Sequence, residues 1–195
     1  MGRTATFDRG DVVRAARDVF WSRGYAETGI GELEEATGLN RSSLYHAFGS
    51  KKGLFEAVVA AYLEEVVRRR LAPLQRSDAA ATALADYVAE MREAIAGGSP
   101  RARSGCLLIN AACGPLVDDE PELRAIVTRY ADELREGVAR GVAAARPGLS
   151  EAARAPLAEA VASLVIAALA IARTDPDAAV RSLDAVAPLV AGWRA

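Results

Sequence analysis

Residues 38 to 55 read GLNRSSLYHAFGSKKGLF and hold the chain's single histidine, His46, and both of its lysines, Lys51 and Lys52. No acidic side chain falls in this stretch, although 26 are spread over the rest of the chain. The set is suited to gripping anions and base edges. Arg41 can hold guanine through a two-pronged bond, the hydroxyls of Ser42, Ser43 and Tyr45 can reach bases or phosphates, and His46 can donate to either. Lys51 stands where a helix is expected to start, so its ammonium and the N-terminal amides can share a phosphate. Bond-breaking chemistry has little to build on. The sequence has one histidine, two cysteines without metal-ligand spacing and no phosphate-cradling glycine loop, so no enzyme, metal or cofactor is expected. The acids at 118 to 120 read as the start of a helix, where negative charge is favourable.

Such side chains read DNA only when a short helix holds them outward over an apolar inner face. Asn40 is a good N-cap for a helix to about Ala47, on which Leu44 and Phe48 share the inner side at i, i+4. Residues 8 to 24 form an amphipathic helix before it, with Val12, Ala15, Ala16, Val19 and Phe20 inward and Arg14, Arg17 and Asp18 outward. Gly24 closes that helix. Thr28 is expected to cap a short second helix with Ile30, Leu33 and Ala36 inside, and Gly38 to stop it. Two short helices joined by a glycine-containing turn, with a third packed across them, match a helix-turn-helix whose second member enters the major groove.

Beyond it the pattern stays helical: 51 to about 71, ended by Pro73, then 78 to 96, a break at 97 to 103, 105 to 115, 121 to 145, 151 to 173 and a last helix ending near Trp193. The fold class is all-α, with about nine helices, no sheet, and two lobes, 1–53 and 54–195. The net charge of -2 and pI near 5.6 argue against bulk coating of nucleic acid or membrane but leave room for a local patch. Residues 1 to 56 hold eight basic and eight acidic side chains, so the expected footprint is narrow. The apolar run at 160 to 172 falls short of the roughly 20 residues a bilayer requires. With no charged-then-apolar leader and two cysteines, a cytoplasmic setting is expected.

FDRGDVVRAARDVFWSRGYAETGIGEL and GLNRSSLYHAFGSKKGLF together resemble the DNA-binding domain of TetR-type transcriptional regulators. The leucine–tyrosine pair, the phenylalanine three residues after it and the lysine before the next helix carry the likeness. The resemblance implies a DNA-binding lobe over residues 7 to 55 and a C-terminal lobe that binds an inducer and forms a homodimer. Arg41, Ser42, Ser43, Tyr45 and His46 then face the groove, Lys51 contacts phosphate and Thr28 touches the DNA backbone. Gly29 and Gly31 depart from the family, which places polar residues there. They cost about 1 kcal/mol of helix stability each and leave base reading mostly to the third helix.

In the second lobe, GCLLIN (105 to 110) resembles a Gly-Cys-Leu-x-x-Asn motif of a TetR branch that includes electrophile- and redox-responsive repressors. Cys106 is therefore either a sensing thiol or a buried small hydrophobe. Asn110 either orients an effector or ties helices together. Cys113, on the same helix, lies about 10.5 Å along the axis from Cys106, too far for a bridge. Leu164, Ile166, Ala167, Ala168, Leu169 and Ile171 belong to a helix apolar nearly all round. Leu183, Val186, Leu189, Val190 and Trp193 form a stripe on the last helix. Both are either core or dimer surface, and the resemblance favours a two-fold four-helix bundle. The expected function is a repressor released from an inverted-repeat operator in double-stranded DNA by a small-molecule or electrophile effector. The alternative is an all-α dimeric ligand-binding protein that does not read DNA.

Overall fold

Asp8, Asn40 and Ser50 start three of the first four helices through one device: a short polar side chain accepts a hydrogen bond from the backbone N–H three residues on. A computed structural model of the chain describes residues 7–114 and 116–193, which are helical without any strand. In order they form α1 (Arg9–Arg23), α2 (Ile30–Thr37), α3 (Arg41–Phe48), α4 (Lys51–Tyr62), a π-helical segment (Leu63–Arg68), α5 (Arg69–Gln75), α6 (Ala83–Ala96), α7 (Pro100–Arg103), α8 (Leu107–Ala112), α9 (Leu116–Asp119), α10 (Pro121–Ala145), α11 (Glu151–Ile171), α12 (Pro176–Asp184) and α13 (Val186–Gly192). Counting the run from α4 through α5 once and α12 with α13 once, and setting aside the single-turn α7 and α9, the described residues hold nine helices.

The chain divides into two compact units between Val66 and Val67, inside the π-helical segment, rather than at residue 53. The difference has a packing cause. Leu54, Phe55, Val58, Val59 and Tyr62 of α4 are buried, and α4 packs against α1 and α3. Aromatic contacts knit the first unit: Phe20 meets Phe55 edge-on at 5.1 Å and Trp21 meets Tyr62 at 5.0 Å. Arg17, expected on the outer face of α1, is only 6% exposed. Its guanidinium donates to the Glu65 carboxylate at 2.7 Å, the partner a desolvated cation needs. Ala36, expected inside, is exposed.

In the second unit α10 packs against α5, α6, α8 and α11. Gly137 and Gly141 bring α5 close: a β-carbon at Gly137 would stand 3.2 Å from the Leu71 Cδ2, and one at Gly141 2.9 Å from that of Leu74. Pro73 does not end its helix, since α5 runs on to Gln75, two residues beyond it. Gly105, at φ +72°, lies against α11, where a β-carbon would overlap the Leu169 carbonyl oxygen. That kink separates α7, which occupies the expected break, from α8.

The 21 residues of α11 are long and apolar enough to cross a membrane by length and composition, more than the run at 160 to 172 suggested, with 33% of the most apolar window buried. Leu157, Val161, Val165, Ala168 and Leu169 form its buried side, and α10 and α12 pack against the helix. Leu183 and Val186 were expected on a dimer surface and are instead 1% and 3% exposed within one chain. The reason is that α12, which carries Leu183, packs against α6 and α11, and α13, which carries Val186, packs against α11 and α12. Leu164, Ile171 and Val190 are half-buried. At the end of α10, Arg146 donates to the carbonyls of Val190, Ala191 and Trp193, and the Trp193 indole donates to the Ala153 carbonyl at 2.9 Å.

Candidate nucleic-acid interface

The turn between α2 and α3 depends on Gly38, whose φ of +69° is a left-handed position and whose N–H donates to the Glu34 carbonyl. Asn40 then caps α3 by accepting from the Ser43 N–H at 2.9 Å. Leu44 and Phe48 face inward, 1% and 8% exposed. That leaves Arg41, Ser42 and His46 exposed and Ser43 and Tyr45 half-buried. Arg41 and Tyr45, at i and i+4, lie together, with the guanidinium carbon 5.3 Å from the ring centre. A cation, three hydroxyls and an imidazole thus share one helix that carries no acidic side chain of its own, as suits donors to base edges and phosphates.

Both ends of α3 are held by other helices. The Arg41 backbone N–H donates to Glu34 Oε1 of α2 at 2.5 Å. Arg9 of α1 donates to the Ala47 carbonyl at 2.6 Å, and its guanidinium lies 4.2 Å from the centre of the Phe48 ring. Sequence reasoning missed both residues. The contacts span 7 and 38 positions, and only a free carboxylate or guanidinium near a helix end could have hinted at them.

Lys51 is half-buried, its ammonium 4.5 Å from the centre of the Tyr25 ring, a partner the sequence did not suggest. Burial lowers its pKa, opposed by the Glu27 and Glu32 carboxylates. Thr28 departs from expectation. It is 1% exposed and its hydroxyl donates to the Gly24 carbonyl at 2.6 Å, so the side chain is turned away from solvent. The cap of α2 is Gly29, one residue later, where the Gly29 N–H donates to Glu32 at 2.9 Å and Glu32 pairs with Arg23 at 2.7 Å. A β-carbon at Gly31 would have nothing within 4 Å.

In the second unit, Cys106 is 1% exposed, directly precedes α8 and has its thiol 3.3 Å from the Tyr130 hydroxyl. Cys113, at the far end of α8, is exposed, and neither is in a disulfide. Asn110 closes the α7–α8 loop by donating to the Ser104 carbonyl at 2.7 Å. The buried Tyr87 hydroxyl has its pKa pushed up by desolvation, with the Arg70 charge acting against and Cys106 with it.

Residues 12–58 match the model of bacterial regulatory proteins of the tetR family. The transcriptional repressor ComR of Escherichia coli K12 is 34% identical over 123 residues, 63% of this chain and 57% of ComR, so the match spans little more than half of that relative. The regulator YezE of Bacillus subtilis 168 is 31% identical over 150 residues, 75% of this chain and 74% of YezE. Among solved structures, a cysteine mutant of the TetR-family regulator CifR complexed with a 26-base-pair operator DNA is 29% identical and covers 98% of this chain and 100% of its own, with a TM-score of 0.78. Fold, outward-facing α3 and relatives define a helix-turn-helix transcriptional regulator. The chain belongs to the TetR family of bacterial regulatory proteins.

Proposed function

We propose that this protein is a cytoplasmic, homodimeric repressor that binds an inverted-repeat operator and leaves it when an effector occupies the C-terminal unit. The observation that carries the reading is the outer face of α3, which carries Arg41, Ser42, Tyr45 and His46 and no acidic side chain of its own on a helix anchored by Leu44 and Phe48. Ser43 and Lys51 complete the proposed contact set. Thr28 drops out because its hydroxyl is buried and bonded to Gly24. The dimer supplies two copies of α3 at half-sites about one DNA turn, 34 to 36 Å, apart. Its proposed surface is the side of α11 with Leu164, Ala167 and Ile171, joined by Val190, because an apolar helix so little buried in its own chain needs further cover.

The test is retention of selected DNA in a gel shift by Arg41→Ala and Tyr45→Ala proteins that remain dimeric. Lost retention supports the reading. Unchanged binding, or wild-type affinity that shows no dependence on salt, would favour an all-α ligand-binding protein that does not read DNA.

For the effector, Cys106 is the candidate thiol by its likeness to the electrophile-responsive branch, with Asn110 on α8 and Cys113 at the opposite end of that helix as further candidates. Burial and the Tyr130 bond favour a packing role for Cys106. A Cys106→Ser protein that still releases DNA on treatment with an electrophile would end the covalent reading.

A further inference from the structure

Only two side chains of α3, Leu44 and Phe48, are buried, and a two-turn helix has no stability of its own. Two apolar anchors on one side fix how deeply such a helix sits, but hold its roll and tilt weakly. The precision that base reading demands is finer. At a radius of about 5 to 6 Å, a roll of about 20° carries a side-chain tip through about 2 Å, whereas a hydrogen bond tolerates about 0.5 Å.

The missing restraint is polar and lies at the two ends. Glu34 brings a carboxylate from α2 to the N–H of the first residue of α3, and Arg9 brings a guanidinium from α1 to the carbonyl of Ala47 in its last turn. Each charge suits the end of the helix dipole it meets. Arg9 also lies over the Phe48 ring, so one side chain grips both the backbone and an inner anchor. Neither residue belongs to the outer set of Arg41, Ser42, Tyr45 and His46.

We propose that Arg9 and Glu34 are positioning residues for DNA reading: together they set the roll and tilt of α3 and so determine operator affinity without contacting a base. The proposal rests on the DNA-binding reading above.

Glu34 gives a test in which the sign decides. If Glu34 only adds negative charge near the DNA, its removal tightens binding; if it positions α3, its removal weakens binding. The probe is the highest-affinity duplex that the full-length wild-type protein recovers from random double-stranded DNA. Positioning predicts that Glu34→Ala binds it about tenfold more weakly, equivalent to losing one well-placed base contact, while affinity for random duplex is unchanged. Glu34→Gln, which keeps an acceptor, restores most of the loss. Arg9→Ala also weakens selected binding about tenfold with the slope of log affinity against log salt unchanged, since a lost phosphate contact would lower that slope by about 1. Arg9→Lys, which still donates to Ala47 and covers the ring, recovers it.

Equal or tighter binding by Glu34→Ala, or a reduced salt slope in Arg9→Ala, overturns the proposal. Should Glu34→Ala lose helical content by circular dichroism, Glu34→Gln decides alone: near wild-type affinity supports positioning, and tighter binding refutes it. Wild-type protein that selects no sequence at all would instead refute the DNA-binding reading on which the proposal stands.

Discussion

Gly53 lies so close to Phe48 that a β-carbon on it would overlap the Phe48 carbonyl oxygen. The Phe48 carbonyl at the end of α3 therefore lies against the first turn of α4 at a distance that only glycine permits.

Gly53→Ala should destabilise the protein by about 1 to 3 kcal/mol, as overpacking against backbone does. Gly31→Ala, in open space inside α2, should stabilise it by up to about 1 kcal/mol. Urea unfolding of both variants checks the pair, and equal shifts would contradict the packing of the α3–α4 turn.

The two thiols should react at very different rates. Cys113 is exposed and Cys106 is buried against Tyr130. Native protein treated with a maleimide should take up one equivalent quickly at Cys113 and label Cys106 only in denaturant. Peptide mass analysis locates the label, and fast labelling of native Cys106 would contradict its burial.

Tyr87 should make the fold sensitive to alkali. Burial holds its pKa above the ordinary 10.0, so the folded chain keeps a proton that the unfolded chain loses. Above about pH 10 the unfolded state binds fewer protons and stability falls with rising pH, by up to about 1.4 kcal/mol per unit. Below about pH 9 the group contributes no slope. Tyr87→Phe should flatten the decline seen in unfolding curves between about pH 9 and 11; equal slopes in the two proteins would count against a protonated, buried Tyr87.

Ala167 is exposed on α11, where the proposed dimer surface lies. Ala167→Arg should convert the dimer to a monomer in sedimentation equilibrium with helical content unchanged. A dimer that survives the substitution would move the interface elsewhere.

Much of the fold is legible in the sequence because it rests on local chemistry. The caps at Asn40 and Ser50, the stop at Gly38 and the split of α3 into Leu44 and Phe48 against an outer polar set follow from residues within one or two turns. The span of α10 follows from its first proline and first-turn acid. What was missed depends on distant partners. Arg17 is a surface residue by periodicity and is buried only because Glu65 reaches it. Thr28 is as good a cap as Gly29 until the Glu32 side chain reaches the Gly29 N–H. Leu183 and Val186 form an apolar stripe whether a neighbouring helix or a second chain covers them, and α6 and α11 pack against α12 within one chain.

The guanidinium of Arg41 over the ring of Tyr45 carries a consequence for the entropy of recognition. A free arginine gives up about 2 kcal/mol of rotamer freedom when it is immobilised. Here the ring acts as a shelf that limits those rotamers beforehand. Tyr45 then has two separable parts, a hydroxyl that can bond and a face that orders its neighbour. Phenylalanine at this position keeps the shelf and alanine removes it, so the calorimetric difference in binding entropy between the two variants measures how much of the recognition is order present before any DNA arrives.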